Sequence, residues 1–228
     1  MSLPKLALFD LDHTLIPFDS DYSWGQFTVR LGWTDPVEFM RQNDAFYAQY
    51  KAGTMDIFEY ARFATAAFVQ RGEEAARQAH ALFMEEVVKP GLLPQAFELV
   101  RQHKAEGATV IVVTATNEFI TRPIAAALGA DELMAVDLQR DTTAGGKGWF
   151  TGEVRGIPSF REGKVARVEA WLAARNLGWQ DVHSTFYSDS INDLPLLEKA
   201  NVPVATNPDE RLRAIAQARG WRILELFA

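Results

Sequence analysis

Asp10 and Asp12 stand two residues apart where a short apolar run, Leu6–Phe9, ends. A second acidic set, Asp189-Ser190-Ile191-Asn192-Asp193, follows another apolar run through Tyr187. Taken alone, Asp10 and Asp12 read equally as turn or cap acids, the commonest use of Asp after a strand. A turn after Asp10 would swing Asp12 to the same side, and four carboxylates would then meet in one pocket. Like charges at such range cannot all stay ionised without a cation. A hard divalent ion held by oxygen answers that need, and Mg2+ characteristically keeps waters and a substrate phosphate in its shell. Thr114 ends a third apolar run, Val110–Val113, and Ala115-Thr116-Asn117 reads as a helix start whose free amides favour an anion. Lys164 begins a helical pattern behind the turn Pro158-Ser159-Phe160. In isolation Thr114 reads as a helix cap and Lys164 as a solvated lysine. Beside the acids, both suit a phosphate.

Acids at strand ends require strands that end there. The chain has 228 residues, 48% hydrophobic and 23% charged, enough to bury one ordinary core with a sizeable insertion. The runs Leu6–Phe9, Val110–Val113, His183–Tyr187 and Val202–Ala205 are short, β-branched or aromatic, and read as buried parallel strands. Helical patterns lie between them: Pro94–Glu106, Phe119–Leu128, Glu162–Leu177 and Pro208–Ala218, ending at Gly107, Gly129, Gly178 and Gly220. Strands alternating with helices give an α/β fold with a doubly wound parallel sheet. From about Asp21 to Lys89 only helix-period apolar residues occur, which marks an all-helical insertion. Asp35-Pro36 and Thr54 read as its helix starts, Gly53 and Gly72 as stops, and Lys89-Pro90-Gly91 as the return linker. The expected division is therefore residues 1–20 and 90–228 for the α/β core and 21–89 for a helical cap. Asp141–Gly156 reads as a β-hairpin on the sheet's edge.

Composition removes several function classes. With no cysteine, thiolate nucleophiles, thiolate metal sites and disulfides are excluded, which leaves carboxylates, hydroxyls, histidines or an oxygen-held metal. A net charge of −7 argues against nucleic acid as a partner. The longest uncharged stretch, Gly107–Asn117, has 11 residues, short of the roughly 20 that span a bilayer, so no membrane role is expected. The N-terminal residues carry no signal-peptide pattern, and the expected location is cytoplasmic. Oligomeric state is not legible.

In all four motifs and their order, the chain resembles the haloacid dehalogenase superfamily of phosphohydrolases, over essentially its whole length. Asp10-Leu11-Asp12-His13-Thr14 looks like the DxDxT motif, Thr114 the hydroxyl motif, Lys164 the lysine motif and Asp189–Asp193 the terminal acidic motif. The helical insertion matches the cap of the phosphoserine phosphatase-like branch. The resemblance implies Asp10 as nucleophile forming an aspartyl-phosphate, and Asp12 as general acid and then base. It implies Mg2+ on Asp10, the Asp12 backbone carbonyl and Asp189, supported by Asp193. Thr114, Ala115, Lys164 and Asn192 would hold the phosphate of a small phosphomonoester. His13 stands where a small residue is common, and Ser190 and Ile191 replace a usual glycine and small residue.

The cap bears on substrate. Phosphoserine phosphatases bind the substrate amine with an acid nine positions after the nucleophile, which here is Asp19, with Asp21 two further on. A gapless match puts Ala64 at the branch's carboxylate-gripping arginine, with Arg62 two positions earlier. The resemblance thus implies an amine-bearing substrate without a carboxylate, histidinol phosphate above phosphoserine. The stretch Asp19–Gly25 also resembles histidinol-phosphate phosphatases of this branch. A phosphotransferase or mutase stands as the alternative enzyme, and an inactive phosphate-binding module as the non-enzymatic one. Trp24, Phe27, Phe46, Tyr47 and Phe63 are expected mainly as cap core, with a pocket wall as the alternative.

Overall fold

The computed structural model describes residues 3–228. Six parallel strands form the central sheet: β1 (Lys5–Phe9), β2 (Ala108–Asn117), β3 (Glu132–Val136), β6 (His183–Ser188), β7 (Val202–Thr206) and β8 (Arg222–Leu224), in the order β3-β2-β1-β6-β7-β8. Strand β1 is in the middle, and the chain leaves it toward β2 on one side while β6 returns on the other. That reversal opens a crevice at the carboxyl ends of the strands. Register sets what meets there. Phe9 pairs with Val112 on one side and Tyr187 on the other, so Asp10, Val113 and Ser188 come side by side, with Asp10 and Asp189 just past their strands and β2 running on to Asn117.

One apolar layer, with Leu8, Ile111, Val113 and Phe186, is covered by α8 (Glu162–Ala173), α9 (Leu194–Lys199) and α10 (Glu210–Arg219). The other, with Phe9, Val110 and Val112, is covered by α6 (Pro94–Ala105) and α7 (Glu118–Ala127) and runs on into the helical insertion through Trp24, Phe68 and Phe83. The insertion comprises α1 (Ser20–Arg30), α2 (Pro36–Ala52), α3 (Ile57–Arg71), α4 (Glu73–Phe83) and a last turn, α5 (Lys89–Gly91). Asp19, Asp35 and Asp56 cap the first three helices by accepting backbone N–H groups.

Several expectations are corrected. The third helix starts after Asp56 rather than at Thr54, because the Asp56 carboxylate takes the amides of Phe58 and Glu59. Lys89-Pro90-Gly91 is no linker. A π-helical turn, Met84–Val88, shifts the hydrogen-bond register so that Lys89 N–H reaches the Met84 carbonyl, and the helix continues. Helix α8 ends at Ala173, and the left-handed residue behind it is Asn176 (φ 57°), while Gly178 has an ordinary negative φ. The last long helix begins at Glu210 behind the Asp209 cap. The hairpin β4 (Leu138–Arg140) with β5 (Phe150–Val154) forms, but as a separate two-stranded sheet packed on α3. Buried Trp149 and Phe150 hold it there against Phe68 and Phe119, and Trp149 Nε1 donates to the Phe68 carbonyl. No helix among the described residues is long and apolar enough to cross a membrane.

Candidate active site

A cavity of about 730 Å³ opens over the carboxyl ends of β1, β2 and β6, between the sheet and α1–α3. At its floor the buried ammonium of Lys164 donates to Asp10 Oδ1 at 2.8 Å and to Asp193 Oδ2 at 2.7 Å. Lys164 reaches this point because α8 begins in a tight turn. A side chain on Gly163 would collide with the carbonyl oxygen of Pro158, so only glycine lets the helix start so close to the preceding loop. Ser188 adds a donor to Asp193 Oδ2 at 2.7 Å. Thr14 bonds the neighbouring loop, its hydroxyl accepting from Asp189 N–H at 3.1 Å.

The electrostatics of this floor are strained. Burial pushes Asp10 upward against the pull of Lys164, and Asp193 up to about 6. Burial, then the charges of Asp10 and Asp193, holds Asp189 well above the usual carboxylate range. Burial alone would lower the Lys164 pKa, but Asp10 and Asp193 outweigh it and keep the ammonium charged. With all three carboxylates ionised, one ammonium leaves a deficit of two positive charges, and a divalent cation would both supply it and relieve the upward pressure on the acids. Among the described residues no three Asp, Glu, His or Cys side chains form a metal cage unaided, so such an ion would need carbonyl, water or substrate oxygens as well.

Asp12 lies beside Asp10, its carboxylate accepting Ser20 N–H on Oδ1 and the Thr116 hydroxyl on Oδ2, each at 2.8 Å. Burial, then the charge of Asp19, raises it to about 6. Thr114, Ala115 and Asn192 also line the cavity. Strand β2 runs on to Asn117, which caps α7, so Thr114 to Thr116 are strand residues rather than a helix start.

On the cavity wall, Asp19 accepts Tyr22 N–H at 2.8 Å as the cap of α1, and Asp21 accepts Asn117 Nδ2 at 3.1 Å. Burial raises both acids, Asp21 well above the ordinary range with the charge of Asp19 adding to it. Burial and then Asp21 also push the Tyr60 phenol far up. Arg62 does not join them. It is half exposed, pairs with Glu153 on β5 at 2.9 Å and does not line the cavity. Ala64 faces a separate smaller cavity behind the wall. Trp24 and Phe27 are core, Phe46 and Tyr47 line the site, and Phe63 lines the smaller cavity, stacked on Phe39 and Phe46.

The contacts that join the insertion to the loops around the cavity floor were not foreseen from the sequence. The Tyr50 hydroxyl and Ser190 Oγ share a hydrogen bond at 2.6 Å, and Arg161 Nη1 donates to the Gly53 carbonyl at 2.8 Å. Ser190 in place of the usual glycine was the one available signal. Thr116 was expected only to offer its amide to an anion, and the bond of its hydroxyl to Asp12, across 104 residues of chain, had no local signal.

Strand order, crevice and acids define a hydrolase site of one known kind. The haloacid dehalogenase-like hydrolase pattern matches residues 7–198, and the chain belongs to that family. Within it the chain is a phosphatase. It is 39% identical over 223 residues to a histidinol-phosphatase of Neisseria meningitidis serogroup C, covering 97% of this chain and 99% of the relative. A Bordetella pertussis protein of unknown function superposes with a TM-score of 0.91 at 45% identity, covering 99% of this chain and 100% of the other. A substrate-bound phosphoserine phosphatase shares the fold at a TM-score of 0.66 and 17% identity, covering 99% and 94%.

Proposed function

We propose that this phosphatase hydrolyses a small, amine-bearing phosphomonoester through an aspartyl-phosphate on Asp10, with histidinol phosphate as the favoured substrate. The observation that carries the reading is the arrangement of acids around one cavity. Asp10 sits on Lys164 at the floor, while Asp19 and Asp21, in no salt bridge among the described residues, face the same space.

In the first half-reaction an Asp10 oxygen bonds to phosphorus as the ester P–O bond breaks, and Asp12 gives its proton to the departing alcohol. In the second, water bonds to phosphorus, the Asp10–phosphorus bond breaks, and Asp12 takes the water's proton. A carboxyl near 6 is placed to do both close to neutral pH. Thr114, the Ala115 and Asn192 positions and Lys164 orient and neutralise the transferring oxygens, the dominant requirement of phosphoryl transfer. Asp10, Asp189 and the Asp12 carbonyl would hold Mg2+, with Asp193 behind them, and the ion would supply charge neutralisation at the phosphoryl group.

Above the floor, Asp19 and Asp21 form no salt bridge among the described residues, so a substrate ammonium would supply the positive partner that holds them ionised, and the aromatic edges of Tyr22, Phe46 and Tyr47 suit an apolar or heteroaromatic body. Besides Lys164, the cations lining the site are Lys51 and Arg211, while at the position the gapless match gives to the branch's carboxylate-gripping arginine stands Ala64, which faces the smaller cavity, and Arg62 is paired with Glu153. The name of the Neisseria relative points the same way. The test is kcat/KM for both esters with Mg2+ and no added acceptor. Histidinol phosphate should be preferred by at least about tenfold, the worth of one charged hydrogen bond. A preference for phosphoserine would overturn the substrate assignment, and phosphate release only on adding an alcohol would replace hydrolysis with transfer.

A further inference from the structure

Asp12 carries the proton in the reading above, on which this inference rests, so whatever aims its carboxylate sets where that proton goes. Two donors hold it from different parts of the chain. Ser20 N–H, at the first residue of α1, donates to Oδ1, and the Thr116 hydroxyl, near the end of β2, donates to Oδ2. Both are well anchored. Asp19 caps α1 and so fixes the start of that helix, and Thr116 is only 5% exposed with its own N–H on Thr114 Oγ1 at 3.2 Å.

The two donors differ in kind. A backbone N–H can only donate, so it holds Oδ1 as an acceptor whether or not Asp12 is protonated. A hydroxyl can donate to a carboxylate and, by rotating, accept from a carboxylic acid. The Thr116 hydroxyl is thus the side-chain donor of the two, and each carboxyl oxygen keeps a second lone pair for the proton that Asp12 exchanges.

We infer that Thr116 is a positioning residue for proton transfer, holding the Asp12 carboxyl in the orientation from which it protonates the leaving alcohol and later receives the proton of the attacking water. The electron pairs balance as in the two half-reactions above, and Thr116 itself exchanges only a hydrogen bond. The role predicts a dependence on the leaving group, because an alkoxide needs its proton in the transition state while p-nitrophenolate scarcely does.

The experiment compares kcat/KM, which reads the first half-reaction, for histidinol phosphate and p-nitrophenyl phosphate in wild type, Thr116→Val, Thr116→Ser and Asp12→Asn. Thr116→Val should lose about ten- to a hundredfold on the alkyl ester and less than about threefold on p-nitrophenyl phosphate, a fraction of what general acid catalysis supplies. Thr116→Ser should stay within about threefold of wild type on both. Equal loss on both esters, or no loss on either, would overturn the inference. Should the valine variant melt early, Thr116→Ala is read on the same pair by the same criterion. Asp12→Asn separates the two levels of the argument. If it lacks leaving-group selectivity, the general-acid reading fails; if it shows selectivity and Thr116→Val does not, only the role of Thr116 fails.

Discussion

At the residue scale, Lys164 is the hinge of the site. Its ammonium is 2% exposed and shared between Asp10 and Asp193, so it both neutralises the surroundings of Asp10 and ties β1 to the loop after β6. Removing one partner of a buried ion pair leaves an uncompensated charge, which costs more than the pair itself contributes. Lys164→Met should therefore lose about 3 kcal/mol of stability in urea unfolding at neutral pH as well as turnover. Asp193→Asn, which keeps shape and leaves Asp10 on the lysine, should lose clearly less stability. Equal stability of Lys164→Met and wild type would mean that the two carboxylates are already protonated in the folded protein.

At the element scale, what positions the site is the register of β1, β2 and β6, which sets Asp10 and Asp189, just past two strand ends, beside Thr114 within β2. This part was legible in the sequence, because buried parallel strands are continuous apolar runs and the polar residues that stop them stand out. Asp10, Thr114 and Asp189 each follow such a run, and the structure brings all three to one cavity. The edge strands β3 and β8 were not legible, since they open on the exposed, charged Glu132 and Arg222 and run for only 5 and 3 residues. Helix starts failed where two caps competed, as at Thr54 and Asp56, for only tertiary placement decides which oxygen meets the free amides. The continuation through Lys89-Pro90 was hidden because a π turn lets a proline follow without breaking the helix at once. The contacts of Tyr50 with Ser190 and of Arg161 with Gly53 span more than 100 residues of sequence and have no local signal.

At the scale of the whole molecule, the insertion and the sheet share one apolar layer rather than touching through a thin seam. His80, near the end of α4, is buried in that layer against Trp24, Phe83 and Phe119, and its Nε2 lies 3.1 Å from the Ile120 carbonyl of α7. Burial lowers its pKa below the ordinary value of 6.5. A histidine whose folded pKa is depressed contributes its full stability above the unfolded pKa, and loses it as pH falls below about 6.5. Melting of wild type and His80→Leu at pH 8 and pH 5.5 isolates this group from the acids of the site, whose raised pKa values act in the opposite direction. Wild type should lose several degrees more than the variant on acidification, at about 2–4 °C per kcal/mol for a chain of this size. Parallel losses would place the acid sensitivity elsewhere.

The central claim is that Asp10 becomes phosphorylated. The direct measurement is acid quenching of the protein during turnover of a 32P-labelled phosphomonoester with Mg2+, followed by hydroxylamine treatment and mapping of the labelled peptide. Wild type should retain an acid-stable, hydroxylamine-labile label on the peptide carrying Asp10, and Asp12→Asn should accumulate it if loss of the base slows its hydrolysis most. Asp10→Asn should carry no label and lose at least about four powers of ten in kcat, as expected of a missing nucleophile. An Asp10→Asn protein that kept a tenth of the activity, or a label on any other residue, would contradict the account.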